Sequence, residues 1–312
     1  MVENAVHALE IMKDLFFIER GYLNANHFVY RSKKPILIDT GHTADFDVTE
    51  HLIKEVGVNL SDTDWIISTH THCDHIGGNK MIQDRSGCDI ALHKVGKYFV
   101  DTQDDWAMWW KYYNQDAHFF NCTRALDDGD FIHIGPHEFQ VFYTPGHASD
   151  GIVLYNRKAK ALISGDALWE NDMPTITIRV EGSTCLFHLM ESLERVESLD
   201  VDVVYPGHGS PFTDIQGAIS KSKIKARDYI NHREKTGADL LKRITIYTIL
   251  MHRQVDEENF FHHLMGTYWF KETVDLFFNG EYEEKYNEVM NDFLRRNIVK
   301  RKDGALFTTV KP

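Results

Sequence analysis

The run Thr69-His70-Thr71-His72-Cys73-Asp74-His75-Ile76-Gly77-Gly78 constrains this chain more than any other stretch. It sets three histidines and a carboxylate within six positions. Side chains so crowded compete for space and protons. A divalent metal removes that conflict, because neutral imidazole and carboxylate are its usual nitrogen and oxygen ligands. The preceding Trp65-Ile66-Ile67-Ser68 reads as a buried strand, and Gly77-Gly78 opens a helix. The ligands therefore sit on the turn leaving a strand end. Alternation lets His70 and His72 face one metal, and the turn into the helix swings Asp74 and His75 towards a second. An isolated His-x-His is more often surface or core filler, but the six-residue pattern is far more specific. Cys73 lies at a spacer position and is read as one.

Three further candidates share one local context. His147 follows the strand-like 138–144 and Pro145-Gly146, Asp166 follows 161–164 and Gly165, and His208 follows 201–205 and Pro206-Gly207. Glycine after a strand lets the backbone approach closely. Strand ends on one edge of a sheet converge, and distant residues build one site there. A catalytic zinc takes about three protein ligands and a structural zinc about four. Seven candidates therefore imply two metals. His70, His72 and His147 fall on one, Asp74, His75 and His208 on the other, and Asp166 bridges them. Zinc is the expected ion, and iron or manganese suits the same ligands. Two metals about 3.5–4 Å apart share a hydroxide formed near neutral pH. Asp74 and Asp166 are then the carboxylates nearest the reacting atoms.

At 312 residues the chain suits one large domain and a small one. No run approaches the roughly 18 apolar residues of a membrane span. Met1-Val2-Glu3-Asn4 lacks the basic start of a secretory signal. The four cysteines (Cys73, Cys88, Cys122, Cys185) have no paired spacing, which fits a reduced, cytoplasmic protein. No feature specifies an oligomeric state. The net charge of −13 argues against general affinity for nucleic acid. That charge is uneven, −16 over residues 1–214 and +3 over 215–312, and marks a boundary near 214.

Residues 15–19, 27–31, 35–39, 88–93 and 151–156 read as further strands, and 45–56 and 183–198 as helices. From Ile215 the pattern is helical to about Asn297, and 298–309 forms a hairpin around Asp303-Gly304. Helices closed by a hairpin suggest a small winged-helix domain over 215–312. Residues 98–124 hold nine aromatics in 27 positions. They read either as a core-packing helical hairpin or as a pocket wall gripping an apolar substrate, with Trp106 and Trp109 as contacts.

Asp39-Thr40-Gly41, His70 to His75, Pro145-Gly146-His147, Gly165-Asp166 and Pro206-Gly207-His208, in this order, resemble the metallo-β-lactamase superfamily of dinuclear metal hydrolases. The resemblance covers about residues 15–212. It implies an α/β fold, a four-layer αβ/βα sandwich with the metals at one edge of its two sheets. It also implies an orienting role for Asp39 rather than ligation. A bridging Asp166 is similar to glyoxalase II-like thioesterases, lactonases and related nucleases, and unlike the antibiotic-degrading members. The C-terminal third is similar in layout to β-lactamase-like proteins with a terminal winged helix, some of which cleave single-stranded RNA. Homoserine-lactone lactonases carry a Tyr three residues after the bridging Asp, where this chain has Trp169. That residue and His42, just after Asp39-Thr40-Gly41, are expected to line the substrate pocket.

The leading expectation is hydrolysis of a small-molecule ester or thioester by the metal-bridging hydroxide. The alternatives are a phosphodiesterase acting on single-stranded RNA, a lactonase, and a non-enzymatic binding protein with a structural metal. Lys300-Arg301-Lys302 would be the nucleic-acid contact in the second case, although exposed hairpins commonly carry such charges.

Overall fold

Alternation along the strands builds the architecture. In a computed structural model, residues 8–312 are described. The Met1–Asn4 stretch read above for a secretory signal lies outside them. Seven strands form the first sheet in chain order: Ala8–Met12, Leu15–Ile18, His27–Tyr30, Ile36–Ile38, Trp65–Ile67, Asp89–His93 and Arg124–Leu126. The first four pair antiparallel, and pairing from Ile36–Ile38 onward is parallel. The second sheet runs in the spatial order Val203–Pro206, Ala161–Gly165, Ile152–Asn156, His137–Tyr143 and Phe131–Ile134.

Leu15, Phe17, Ile36, Ile38, Trp65 and Ile67 face Ile152, Leu154, Ala161 and Ile163 in one cluster between the sheets. Their neighbours Phe16, Leu37 and Ile66 point the other way, onto Ile53 and Ile82 of helices Phe46–Glu55 and Asn79–Ser86. On the second sheet, Val153, Leu162 and Val204 meet Leu189 and Leu193 of helix Cys185–Glu197. Two sheets with helices outside both make the four-layer sandwich. Each fully buried aliphatic side chain contributes about 1.5–3 kcal/mol. A one-residue slip of any strand would exchange its two faces, so the register is fixed by burial on both sides.

Helices Ile215–Asn231, Arg233–Met251, Phe260–Met265, Tyr268–Phe278 and Tyr282–Arg295 follow. A small sheet of Val255–Asp256, Ala305–Thr308 and Val299–Lys302 accompanies them. Its hairpin turns at Asp303 (φ +51°) and Gly304 (φ +76°), the left-handed pair that a two-residue hairpin needs. Ile215, Ala218, Ile219 and Ala226 pack into the second sheet's outer cluster. Leu240, Leu241, Ile244 and Tyr247 join the first sheet's outer cluster. The C-terminal helices thus share core with both halves of the sandwich. No described helix is long and apolar enough to cross a membrane.

Residues 98–124 do not form a helical hairpin. Helix Lys94–Asp101 ends at Thr102, and turns follow to Asn114. Gln103, Trp109 and Asn114 take positive φ, which no helix interior accommodates. Burial of Met108, Trp109, Trp110, Tyr112 and Tyr113 holds the segment instead. The strands Ala8–Met12, Arg124–Leu126 and Phe131–Ile134 were not expected. All three are edge strands with partly exposed patterns.

Candidate metal centre

The strand ends deliver the seven candidates to one place. His70 and His72 lie beyond Trp65–Ile67, and Asp74 and His75 on the short helix Cys73–Ile76. His147, Asp166 and His208 follow His137–Tyr143, Ala161–Gly165 and Val203–Pro206. Donor atoms of His70, His72 and His147 lie within 4.8 Å of one another, as do those of His70, His75 and Asp166, and those of Asp74, His75 and His208. Asp166 is shared: its Oδ2 is 3.4 Å from His147 Nε2 and 3.7 Å from His208 Nε2, and its Oδ1 is 3.5 Å from His75 Nε2. Glycine makes this approach possible, since a Cβ on Gly207 would lie 2.2 Å from Asp166 Oδ1.

Each of the five histidines has its outer nitrogen tied to the protein. His147 Nδ1 lies 2.7 Å from Thr175 O and His208 Nδ1 3.3 Å from Gly21 O, carbonyls that can only accept. His75 Nδ1 donates to Asp39 Oδ2 at 2.9 Å. Thr69 donates to Asp39 through both N and Oγ1, at 2.8 Å each. With its hydroxyl proton so committed, Thr69 Oγ1 accepts from His70 Nδ1 at 3.1 Å. Glu181 Oε1 stands 3.0 Å from His72 Nε2. The inner nitrogens are left facing one another: His72 Nδ1 and His147 Nε2 stand 2.9 Å apart. His70 Nε2 and His75 Nε2 are buried without a hydrogen-bond partner. Orphaned, inward-facing imidazole lone pairs beside carboxylates are what a divalent metal requires, so the residues fit one. Asp39 sits behind His75 and Thr69 rather than among the donors.

Charge divides the cluster. Burial depresses the pKa values of His70, His72 and His147, the first two strongly. Burial also opposes charge on His75 and His208, but Asp166 and the other carboxylates, Asp39 on His75 and Asp74 on both, outweigh it and raise both. Asp166 resists the upward push of burial and is held well below the ordinary carboxylate range by His208 and His75.

A cavity of about 340 Å³ opens over the cluster. Trp109, Trp169, Tyr22, Tyr247 and Thr175 line it beside Asp74, His147, Asp166 and His208. Arg243, Ile244 and Tyr247 of helix Arg233–Met251, with Val310 and Lys311, bring the C-terminal segment onto its wall. Trp169 Nε1 donates to Asp166 Oδ1 at 3.2 Å. Trp109 stacks on His72, 3.5 Å between ring centroids and 21° between planes. Trp106 packs on Tyr268 and Arg179 instead, and is not on the cavity wall. His42 also lies off the wall, accepting from Ala44 N and donating to Gln115 Oε1 with its ring edge against Tyr247. Cys73 points away from the donors, towards Tyr247 Oη at 3.2 Å, and burial pushes its thiol up to about 12. Glu181, Tyr247 and Arg243 were not foreseen. Nothing in their local sequence marks them, because they reach the site through packing of segments far from the motifs.

The metallo-beta-lactamase superfamily profile matches residues 21–208. Over 202 residues the chain is 29% identical to "Probable metallo-hydrolase YqjP" of Bacillus subtilis, covering 55% of this chain and 62% of that protein. It is 29% identical over 215 residues to a "Beta-lactamase-like protein 2 homolog" of Caenorhabditis elegans (67% and 61%). A "Hydroxyacylglutathione hydrolase" of Francisella tularensis subsp. novicida is 27% identical over 227 residues (72% and 79%). The matches thus span under two-thirds of the first two relatives' own length. Among solved structures, a metallo-beta-lactamase family protein from Thermus thermophilus superposes with a TM-score of 0.60 at 20% identity, covering 96% of this chain and 99% of that one.

Proposed function

Because the chain belongs to the metallo-beta-lactamase superfamily, we propose that it is a metal-dependent hydrolase acting on an ester or thioester of a small molecule. The observation that carries this reading is the convergence of the donor groups around Asp166 at the floor of an aromatic-lined cavity. His70, His72 and His147 would hold one divalent ion, and Asp74, His75 and His208 a second, with Asp166 between them. Zinc is the proposed metal. Bound there, such ions supply Lewis acidity, lowering the pKa of water towards ~7 and polarising a carbonyl.

The chain's own residues then orient and shield. The carbonyls of Thr175 and Gly21 and the carboxylate of Asp39 fix the imidazole tautomers. Trp169 restrains Asp166 through its indole N–H, which leaves no hydroxyl at that position to assist a lactone carbonyl. Trp109, Tyr22 and Tyr247 give the acyl portion apolar surface and keep bulk water from the reacting atoms. The likeness to hydroxyacylglutathione hydrolase supports a thioester. The proposal includes a division into residues 1–214 and a winged-helix-like 215–312 that closes the cavity, and a cytoplasmic location. Nucleic acid is not expected as a partner, since Arg301 of the basic hairpin is already paired with Glu257.

The test is a substrate panel on metal-loaded protein, containing acyl thioesters, aryl esters, lactones and single-stranded RNA. Turnover of thioesters or esters that a chelator abolishes and metal restores supports the reading. Cleavage of RNA alone overturns it.

A further inference from the structure

Glu181 ends the short helix Ile178–Glu181, outside every motif that marks the metal cluster. Its side chain is only 2% exposed. Three groups from three parts of the chain converge on it. His72 Nε2 lies 3.0 Å and Trp109 Nε1 3.1 Å from Oε1, and Ser149 N lies 2.7 Å from Oε2. Trp109 and Ser149 can only donate. His72 could do either, but a metal on its Nδ1, the nitrogen 2.9 Å from His147 Nε2, requires the hydrogen on Nε2. Glu181 must then accept all three.

The second observation is backbone strain. Trp109 holds φ at +66°, a region an aromatic side chain occupies only when its surroundings compel it. That conformation lays the indole flat on His72 and aims its N–H at Glu181. The imidazole is thus fixed by a carboxylate at its outer edge and a ring against its face.

We infer that Glu181, with Trp109, is a positioning residue that sets the tautomer and ring plane of His72 for the metal held by His70, His72 and His147. This rests on the ligand reading proposed above. It also couples two segments to the metal, because the aromatic segment carrying Trp109 and the 170–184 segment carrying Glu181 both touch His72 and share the carboxylate contact.

The test measures metal affinity site by site, by competition titration with a chelating dye and by the visible spectrum of the cobalt-substituted protein, in the parent, Glu181→Gln, Glu181→Ala and Trp109→Phe. Gln keeps the volume but replaces one acceptor oxygen by a donor NH₂, so one of the three N–H groups meets another donor. Outer partners of metal-bound histidine are typically worth about 10–100-fold in affinity. Glu181→Gln and Glu181→Ala should weaken one of two metals by that factor, leave the other within about 3-fold, and change the cobalt spectrum of the weakened site. Trp109→Phe keeps an aromatic ring of smaller area and removes one donor, and should weaken the same metal by less. Two tightly held metals with parent affinities in the Glu181→Gln protein would overturn the inference while leaving the ligand reading intact. Equal weakening at both sites would also overturn it, since a general structural role predicts that. A parent protein without a metal on the His72 side would defeat the ligand reading and this inference together. If Glu181→Ala does not fold, Glu181→Gln and Trp109→Phe decide.

Discussion

Asp39 and Glu181 stand in equivalent relations to the two sides of the proposed metal centre, at 2.9 Å from the outer nitrogen of His75 and 3.0 Å from that of His72. Their origins differ. Asp39 directly follows the central strand Ile36–Ile38 and has φ of +56°, and its carboxylate also takes Thr69 N and Oγ1. It is built into the sheet edge that carries the candidate donors. Glu181 hangs on a four-residue helix in a connecting segment and is fixed by contacts with Trp109 and Ser149. One brace belongs to the sandwich, and the other is assembled by two loops over it. The difference teaches that the His75 side is preorganised by the fold itself, whereas the His72 side depends on how the loops pack.

The sharpest way to break this comparison is to remove what both sides share. Asp166→Asn takes a negative charge from between the two ligand groups. It should lower activity by more than about 100-fold, above the range for outer partners, and excess metal should restore part of it. Metal titration and kinetics of the variant beside the parent check this. Full activity with two tight metals would show that Asp166 is not shared.

Asp39→Asn tests the sandwich side. It should weaken the metal on the His75 side by about 10–100-fold and the His72 side by less, because Asp39 reaches the His70 ligand only through Thr69. Loss of both metals together would mean that the two braces are not independent.

A smaller effect concerns Asp150, buried beside Thr71 and Gly96 with Oδ2 unpartnered. Burial pushes its carboxyl from 3.8 up to about 7, and Glu181 is the nearby acid that feels it. Between those pH values the folded chain holds a proton that the unfolded chain has released. Stability therefore falls as pH rises through the window and levels off above about 7. At about 1.36 kcal/mol per unit the loss is at most ~4 kcal/mol. In metal-free protein, Asp150→Asn should flatten part of that slope. Glu181, pushed up to about 8, contributes a part of the same sign and at least the same size, which the variant keeps. Denaturant melts at pH 5 and pH 8 measure it, and an unchanged slope would show that Asp150 is already ionised.

The smallest expected effect separates two tryptophans of the aromatic insertion. With metal saturating, so that weaker metal binding does not enter, Trp109→Ala should raise KM for apolar acyl substrates, because its ring lines the cavity. Trp106→Ala should lower the melting temperature with KM unchanged, because its ring packs on Tyr268 and Arg179. Equal KM changes would show that the insertion responds as one unit.

The motifs were legible because each candidate donor sits within a few residues of a strand end, with a glycine or turn beside it. Local chemistry there is self-sufficient: a histidine-rich run has few stable uses without a metal, and alternating apolar residues have only one buried solution. The strands from Leu15 to Pro206, the sandwich and the gathering of seven donors at one edge follow from that. The aromatic insertion was legible only as apolar content. Its composition allowed a helical hairpin, and positive φ at Gln103, Trp109 and Asn114 decided otherwise.

What the sequence by itself determined is thus the fold and the inner nitrogens and oxygens of the site, since those depend on short-range periodicity and ligand type. What only the tertiary structure decided is which groups stand behind and above them. Glu181 reaches His72 across 109 positions and Tyr247 reaches Cys73 across 174. Contacts at such separations are set by how whole layers and helices pack, and no local pattern of residues encodes that distance.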